Sequence, residues 1–568
     1  MSMSANSTLC LSNESASHSA GLLHAAYYSV RLPNVVSTAM LPAAFVFSTL
    51  VLWRLWRFTV LPLTFLKSSH TGYQSWVSSP EDSSCPCIFP GLKRPTRKSQ
   101  SPRSYFGSSK EPFALVVFGK TFYVVTQVKQ SDEVYRNSET VSFDDFVQAL
   151  MRNNGNGEEV IKTVYKALPI DKAGFPNPRG ESIGRLASGM HAHQLHPGAN
   201  LVVLQKKVQK WLNCHVHPKE ICSNPTATSS GRKSVEVLLY QWCSEYFIRL
   251  GQDLYFGEML AKIDPTLPST FLLFDELIWK MLYQYPGFLS SDMSVPRARV
   301  IASLDKYLQV PQKERTGGAA WLVNAMEDEM RAVGVKGENL AVVLFHLYLA
   351  INTNTRKTAF WVLAYLLHNP ELLAAYRRET APAFRGADLA DPFMIQDAVA
   401  CPEVDAIWHE TLRISGWSAS VRLVTQDTVI GEKRIRKGNR IMVPHRLLHF
   451  DESIFGDATH QFRTDRWRNN KNLPRNPSFR PFGGGKTMCS GRFIARFSVT
   501  SFVATLLHRF DVELVGSPRF PRADEGRPVL GTMSIREGDD FNVRLTPKPE
   551  FAEFRDESNA SYPGSGFL

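Results

Sequence analysis

The chain has 568 residues, a formal net charge of +12, 43% hydrophobic residues and 8 cysteines. That charge is modest for the length, and no recognition motif accompanies the dispersed basic residues, which excludes a nucleic-acid-binding reading. The cysteines are too few and too scattered for a disulfide framework, and no internal repeat is visible.

Residues 1–34 form a tail with two sequons, Asn6-Ser7-Thr8 and Asn13-Glu14-Ser15, open to glycosylation if the tail is luminal. Residues 35–53, VVSTAMLPAAFVFSTLVLW, carry no charge and would span about 28 Å as a helix. Arg54 and Arg57 follow, so the positive-inside rule predicts a single-pass transmembrane anchor with the remainder of the chain in the cytosol. Residues 54–110 read as a linker rich in basic residues, Pro and Ser. Lys93, Arg94, Arg97 and Lys98 could rest on anionic lipid there, and Cys85 and Cys87 form a lone Cys-x-Cys that is no metal site. The globular part is expected over 111–548, with a polar tail at 549–568.

Within the globular part, 115–124 reads as a strand pair. The histidines at 191, 193 and 196 suit surface or cofactor-facing roles better than a metal site. Residues 339–367 read as one long helix, too polar in its middle for a bilayer. Residues 405–414 read as an amphipathic helix that puts Glu410 and Arg413 on one face, where they can pair. A glycine-rich turn at 478–492 then leads through Cys489 into an apolar helical segment, 493–508. This delivers one thiol at a helix N-terminus, where free N–H groups and the helix dipole stabilise negative charge. Phe482, seven residues earlier, can pack beside the turn, and Gly485 and Gly491 permit close backbone approach.

Phe482, Gly485, Cys489 and Gly491 resemble the haem-binding signature of the cytochrome P450 family, Phe-x-x-Gly-x-x-x-Cys-x-Gly. The resemblance implies a mainly α fold with small β-sheets, here preceded by the single transmembrane helix. It also implies haem b with the Cys489 thiolate as axial ligand, a ligand that favours O–O cleavage. Glu410 and Arg413, 79 residues upstream of the cysteine, resemble the family's Glu-x-x-Arg pair. The stretch 462–467 resembles the segment that adds a third member, Arg466, to this structural cluster. Asn354 and Thr355 fall where the family carries an acid–threonine pair that relays protons. Asn354 can orient water but cannot donate a proton as an acid would. Arg422 matches a strand arginine that pairs with a haem propionate, and residues 414–421 and 531–533 would border the substrate cavity.

The segment 350–361, AINTNTRKTAFW, resembles the branch containing sterol 7α- and 12α-hydroxylases and prostacyclin synthase, as does Thr487 in place of a common arginine. Arg356 and Lys357 depart from that branch, and the sequence does not place either side chain. The resemblance implies a monooxygenase acting on a bulky apolar terpenoid, sterol or polyketide-derived molecule, in specialised metabolite biosynthesis. Electrons would come from NADPH through NADPH–cytochrome P450 reductase, with cytochrome b5 as a further donor the family allows. With the anchor, it implies the endoplasmic reticulum membrane and a lipid-bilayer partner. Two alternatives stay open: an isomerase or dehydratase that needs no external electrons, and a non-catalytic haem- or sterol-binding protein.

Overall fold

The computed structural model describes residues 111–551, apart from 118, 171–173, 223–227 and 230–233, together with positions 48, 49, 52, 75 and 76. The elements from Tyr73 onward belong to one compact unit. No helix of the described residues is long and apolar enough to cross a membrane. The expected transmembrane anchor and the single-pass endoplasmic reticulum placement are corrected accordingly, since no described helix supports them, and the bilayer partner has no structural support. An uncharged run of the right length meets only the arithmetic of a span. Apart from positions 48, 49 and 52, residues 35–53 lie outside the described residues, as do both sequons, the basic run at 93–98 and the tail beyond 551.

The architecture is mainly helical with small sheets, as the sequence implies. The strands of the largest sheet are β1 (Ser75–Trp76), β2 (Phe113–Val117), β3 (Lys120–Val124), β4 (Val141–Ser142), β5 (Ala419–Val424) and β6 (Arg440–Pro444). Their order is β1-β2-β3-β6-β5-β4. β2 and β3 are the expected early strand pair, with Phe113 opposite Val124. β5 and β6 are antiparallel with Arg422 opposite Ile441, which fixes the side of the sheet that Arg422 faces.

The helices that build the site are α1 (Val128–Arg136), α2 (Leu239–Phe256), α3 (Leu267–Leu282), α4 (Glu338–Asn352), α5 (Thr355–Leu367), α6 (Pro402–Ser415) and α7 (Arg492–Arg509). α6 starts with Pro402 and carries Glu403 and Asp405 in its first turn and Arg413 in its last, the arrangement that suits a helix dipole. The Glu379 carboxylate closes its N-terminus by accepting the N–H groups of Glu403 and Val404 at 2.9 and 3.0 Å. The buried positions of α3 recur as Leu267, Phe271, Phe274, Ile278 and Met281, one apolar face with Asp275 set inside it. α4, α5 and α7 are buried over most of their surface and form the centre of the main hydrophobic core.

The expected single helix over 339–367 is two helices. Thr353 and Asn354 lie between α4 and α5, although no proline or glycine occurs from 338 to 367. With neither breaker present, side-chain contacts at the interruption must account for it.

Candidate functional site

The turn before α7 is closed by its own backbone. The N–H of Cys489 donates to the carbonyl of Phe482 at 3.0 Å, and that of Met488 to Gly485 at 3.2 Å. Gly485 has φ +64°, and a Cβ there would lie 2.8 Å from the Tyr135 carbonyl oxygen, so the turn seats on α1 only as glycine. Cys489 is the only cysteine among the cavity-lining residues, and its exposed surface faces that cavity. Surrounding protein desolvates the thiol and pushes its pKa up. The backbone N–H groups of Gly491 and Arg492 and the Arg492 guanidinium act in the opposite direction, favouring thiolate.

Arg422 projects from β5 into the wall of the same cavity, which has a volume of about 1600 Å³. It is buried, donates to the Thr487 hydroxyl and to the Val421 carbonyl at 3.2 Å, and lies over the Phe143 ring at 4.5 Å. Thr487 thus receives Arg422. No described carboxylate pairs with Arg422, and burial lowers its pKa against its own charge. A buried guanidinium on a cavity wall lacking a counter-ion suits a bound carboxylate, and a thiol with N–H donors suits a metal. This donor set fits haem: Cys489 would hold the iron and Arg422 a propionate.

The structure brings Glu410, Arg413 and Arg466 together. Glu410, fully buried, accepts from Arg413 Nε at 2.8 Å and Nη2 at 2.7 Å, from the Arg463 backbone N–H at 3.0 Å and from Trp467 Nε1 at 2.8 Å. Arg466 Nε lies 3.5 Å from Glu410, and its other nitrogens donate to the carbonyls of Phe455, Asp457 and Ala458. The cluster reaches the cysteine turn through one residue. The His449 carbonyl accepts from Arg413 at 3.1 Å, while His449 Nε2 accepts the Arg480 N–H at 2.9 Å.

At the helix interruption, Thr355 borders the cavity, and its hydroxyl reaches only the Ile351 carbonyl, at 3.4 Å. Asn354 also borders it, but its Oδ1 accepts the Thr532 N–H at 3.0 Å, which docks the 531–533 segment on the interruption. A Cβ at Gly531 would lie 2.4 Å from Asn354 Oδ1, so any larger residue there would push the Asn354 side chain aside. The same segment bonds the end of α6, with Trp417 N–H donating to Gly531 O and Met533 N–H to Ser415 O.

Arg356 and Lys357 point away from the cavity into a buried network that the sequence reading did not find. Arg356 donates to Asp275, to Glu276 at 2.7 Å, to Ser244 Oγ at 2.7 Å and to the Tyr240 hydroxyl at 3.2 Å. Lys357 Nζ lies 3.3 Å from Asp275, and Thr353 Oγ1 donates to Asp275 at 2.8 Å. Burial opposes the charge on Asp275, but Lys357 and Arg356 outweigh it and hold the carboxyl below its ordinary pKa. Among the described residues no cluster of His, Cys, Asp and Glu could hold a metal ion, the 191–196 histidines included.

A family model described as "Cytochrome P450" matches residues 274–536, a stretch that contains Thr355, Glu410, Arg422 and Cys489. The chain is similar to the 5-beta-cholestane-3-alpha,7-alpha-diol 12-alpha-hydroxylase of Sus scrofa, 26% identical over 54% of this chain and 66% of that protein. It is also similar to the 7-alpha-hydroxycholest-4-en-3-one 12-alpha-hydroxylase of Homo sapiens, at 29% with the same coverage. Similarity to the cytochrome P450 monooxygenase nodJ of Hypoxylon pulicicidum is 21% but spans 79% of this chain and 86% of that one. The match covers just under two thirds of the length of the two mammalian hydroxylases. The family match runs through the helix interruption, the Glu410 cluster and the cysteine turn together, and it classes that stretch, a little under half of the chain, with the haem-thiolate monooxygenases of the cytochrome P450 family.

Proposed function

We propose that the protein oxidises a bulky apolar molecule in specialised metabolism, using haem b, oxygen, and electrons passed from NADPH by a reductase. The observation that carries this reading is Cys489, the only cysteine of the described residues on the cavity wall, with two backbone N–H groups favouring its thiolate. Thiolate-bound haem supplies oxygen activation when present. The chain's own part is to hold, orient and protonate. Cys489 supplies the ligand, Arg422 neutralises a propionate, and Phe482 and Gly485 shape the turn that keeps the sulfur in place. The Thr355 hydroxyl, weakly engaged at Ile351, can hold a proton at Oγ1 on the cavity side. Asn354 anchors the neighbouring segment and supplies no acid.

Support for a bulky apolar substrate comes from the cavity volume and its many aliphatic and aromatic wall residues. The similarity to two sterol-type hydroxylases points the same way. The similarity to a cytochrome P450 monooxygenase of Hypoxylon pulicicidum over most of both chains supports the oxidising role. One observation favours a second reading: with Asn354 Oδ1 committed to Thr532, no carboxylate of the described residues bonds Thr355, a situation that suits rearrangement of a peroxide without external electrons.

The test is the carbon monoxide difference spectrum of the reduced protein, followed by a substrate screen with and without NADPH and reductase. A thiolate-type band that Cys489→Ala abolishes is expected, with turnover that stops without NADPH. In Thr355→Ala, more reducing equivalents should be lost as peroxide per product formed. A histidine-type band in fresh protein would overturn the ligand assignment, and turnover without electrons would favour the second reading.

A further inference from the structure

We propose that Asp275, Thr353 and Arg356 form a positioning device that pins the interruption between α4 and α5 and so presents Thr355 to the cavity. The catalytic consequence rests on the function proposed above, but the pinning itself does not.

The interruption has no proline or glycine to cause it, and its only local side-chain bond in the described residues at Thr355 is the weak one to the Ile351 carbonyl, at 3.4 Å. Its two residues are instead held from two sides. Asn354 is tied to Thr532, and Thr353 Oγ1 donates to Asp275 at 2.8 Å. Asp275 is in turn held by Arg356 and Lys357, the second and third residues of α5. One carboxylate therefore grips both a residue of the interruption and the first turn of the helix that follows it. Thr355 lies between these two grips.

The network is built to be rigid. Asp275, Thr353, Arg356 and Lys357 are all buried. Arg356 spends its two terminal nitrogens on four partners drawn from α2 and α3. Glu276, the second acid, is itself bonded by Tyr240 at 2.7 Å. Buried charges with several fixed partners define one geometry, because any shift leaves a charge unpaired. α3 also carries Met281 and Leu282 to the cavity wall, followed there by Gln284, a non-glycine residue at φ +54°. The pin thus joins the wall that α3 supplies to the interruption that holds Thr355.

The experiment is hydrogen–deuterium exchange of the full-length protein, read by peptide, for Asp275→Asn, Thr353→Val and Thr353→Ser. Thr353→Val removes the hydroxyl donor while leaving every charge paired, so it covers the case in which Asp275→Asn does not fold. Exchange of amides in 351–358 is expected to rise at least about tenfold in Thr353→Val while α7 keeps its protection, and Thr353→Ser should restore the original pattern. In the haem-loaded enzyme, Thr353→Val should lower product formed per NADPH several-fold and change kcat more than KM. Unchanged exchange over 351–358, or an equal rise throughout the chain, would overturn the proposal. A local rise with unaltered coupling would keep the pin but overturn its role in presenting Thr355. Failure of the monooxygenase reading itself would show as absence of the thiolate band in the unsubstituted protein, independently of exchange.

Discussion

The chain buries two ionic clusters and builds them in opposite ways. The Glu410 cluster has one acid for two arginines, and the acid takes four hydrogen bonds from Arg413, Arg463 and Trp467 while Arg466 lies at 3.5 Å. The surplus guanidinium N–H groups end on backbone carbonyls of 449, 455 and 458. The Asp275 network has two acids and two cations, and neither acid depends on one partner. The first design concentrates everything on one carboxylate, so losing it strands two buried cations at once. The second shares the load, so one loss is partly absorbed by the others. The first should therefore govern whether the protein folds, and the second how one segment is held.

The largest effect is expected at Glu410. Glu410→Ala leaves Arg413 buried without a counter-ion and should cost about 3–5 kcal/mol, a large part of a typical domain's stability. Urea unfolding of the purified protein measures this directly, with low soluble yield the expected companion. A wild-type unfolding midpoint would break the comparison at its root.

Arg356→Met should cost less, about 2–3 kcal/mol, because Lys357 still pairs with Asp275 and part of Glu276 reaches water. The same urea measurement decides it. A loss equal to that of Glu410→Ala would mean that the network does not share its load.

The two clusters also differ in how far the sequence exposes them. Glu410 and Arg413 are one helical turn apart, so spacing alone pairs them. Cys489 was legible for the same reason, since its glycines, Phe482 and the helix that follows are all local. Arg356 and Asp275 are 81 residues apart on different helices, and no local pattern links them. A weaker signal did exist: Asp275 falls in the apolar face of Leu267, Phe271, Phe274 and Ile278, and Arg356 and Lys357 are the only charges in a helix that is buried over most of its surface. A charge on a buried face requires a buried partner, and two such anomalies of opposite sign could have been matched. The split of 339–367 was not legible at all, because its causes are Thr532 and Asp275, both distant in sequence. The anchor failed in another way, since an uncharged run states only that a span is permitted, and among the described residues no helix meets the requirement.

Acid sharpens the comparison last and least. His445 is buried against the Tyr135 hydroxyl, 2.7 Å from Nε2, and Ser418 Oγ, 3.0 Å from Nδ1. Burial first, then the guanidiniums of Arg480 and Arg422, push its pKa down from 6.5 to about 3. His449, next to the Glu410 cluster, is held low by burial as well. A histidine kept neutral in the fold gives its full stabilisation above its unfolded pKa of 6.5, and loses it as pH falls from there toward the folded value. The Asp275 network contains no histidine, and its depressed carboxyls keep their stabilisation until pH drops below the ordinary carboxylate range. Mild acid should therefore weaken the Glu410 side and spare the other. Between about pH 7 and pH 5.5, one such histidine removes about 1.2 kcal/mol of unfolding free energy. His445→Gln should flatten the urea-measured pH dependence by that amount, while Arg356→Met should keep the wild-type slope. A slope unchanged in His445→Gln would mean that the imidazole is protonated within the fold, and the acid sensitivity would then have to lie elsewhere.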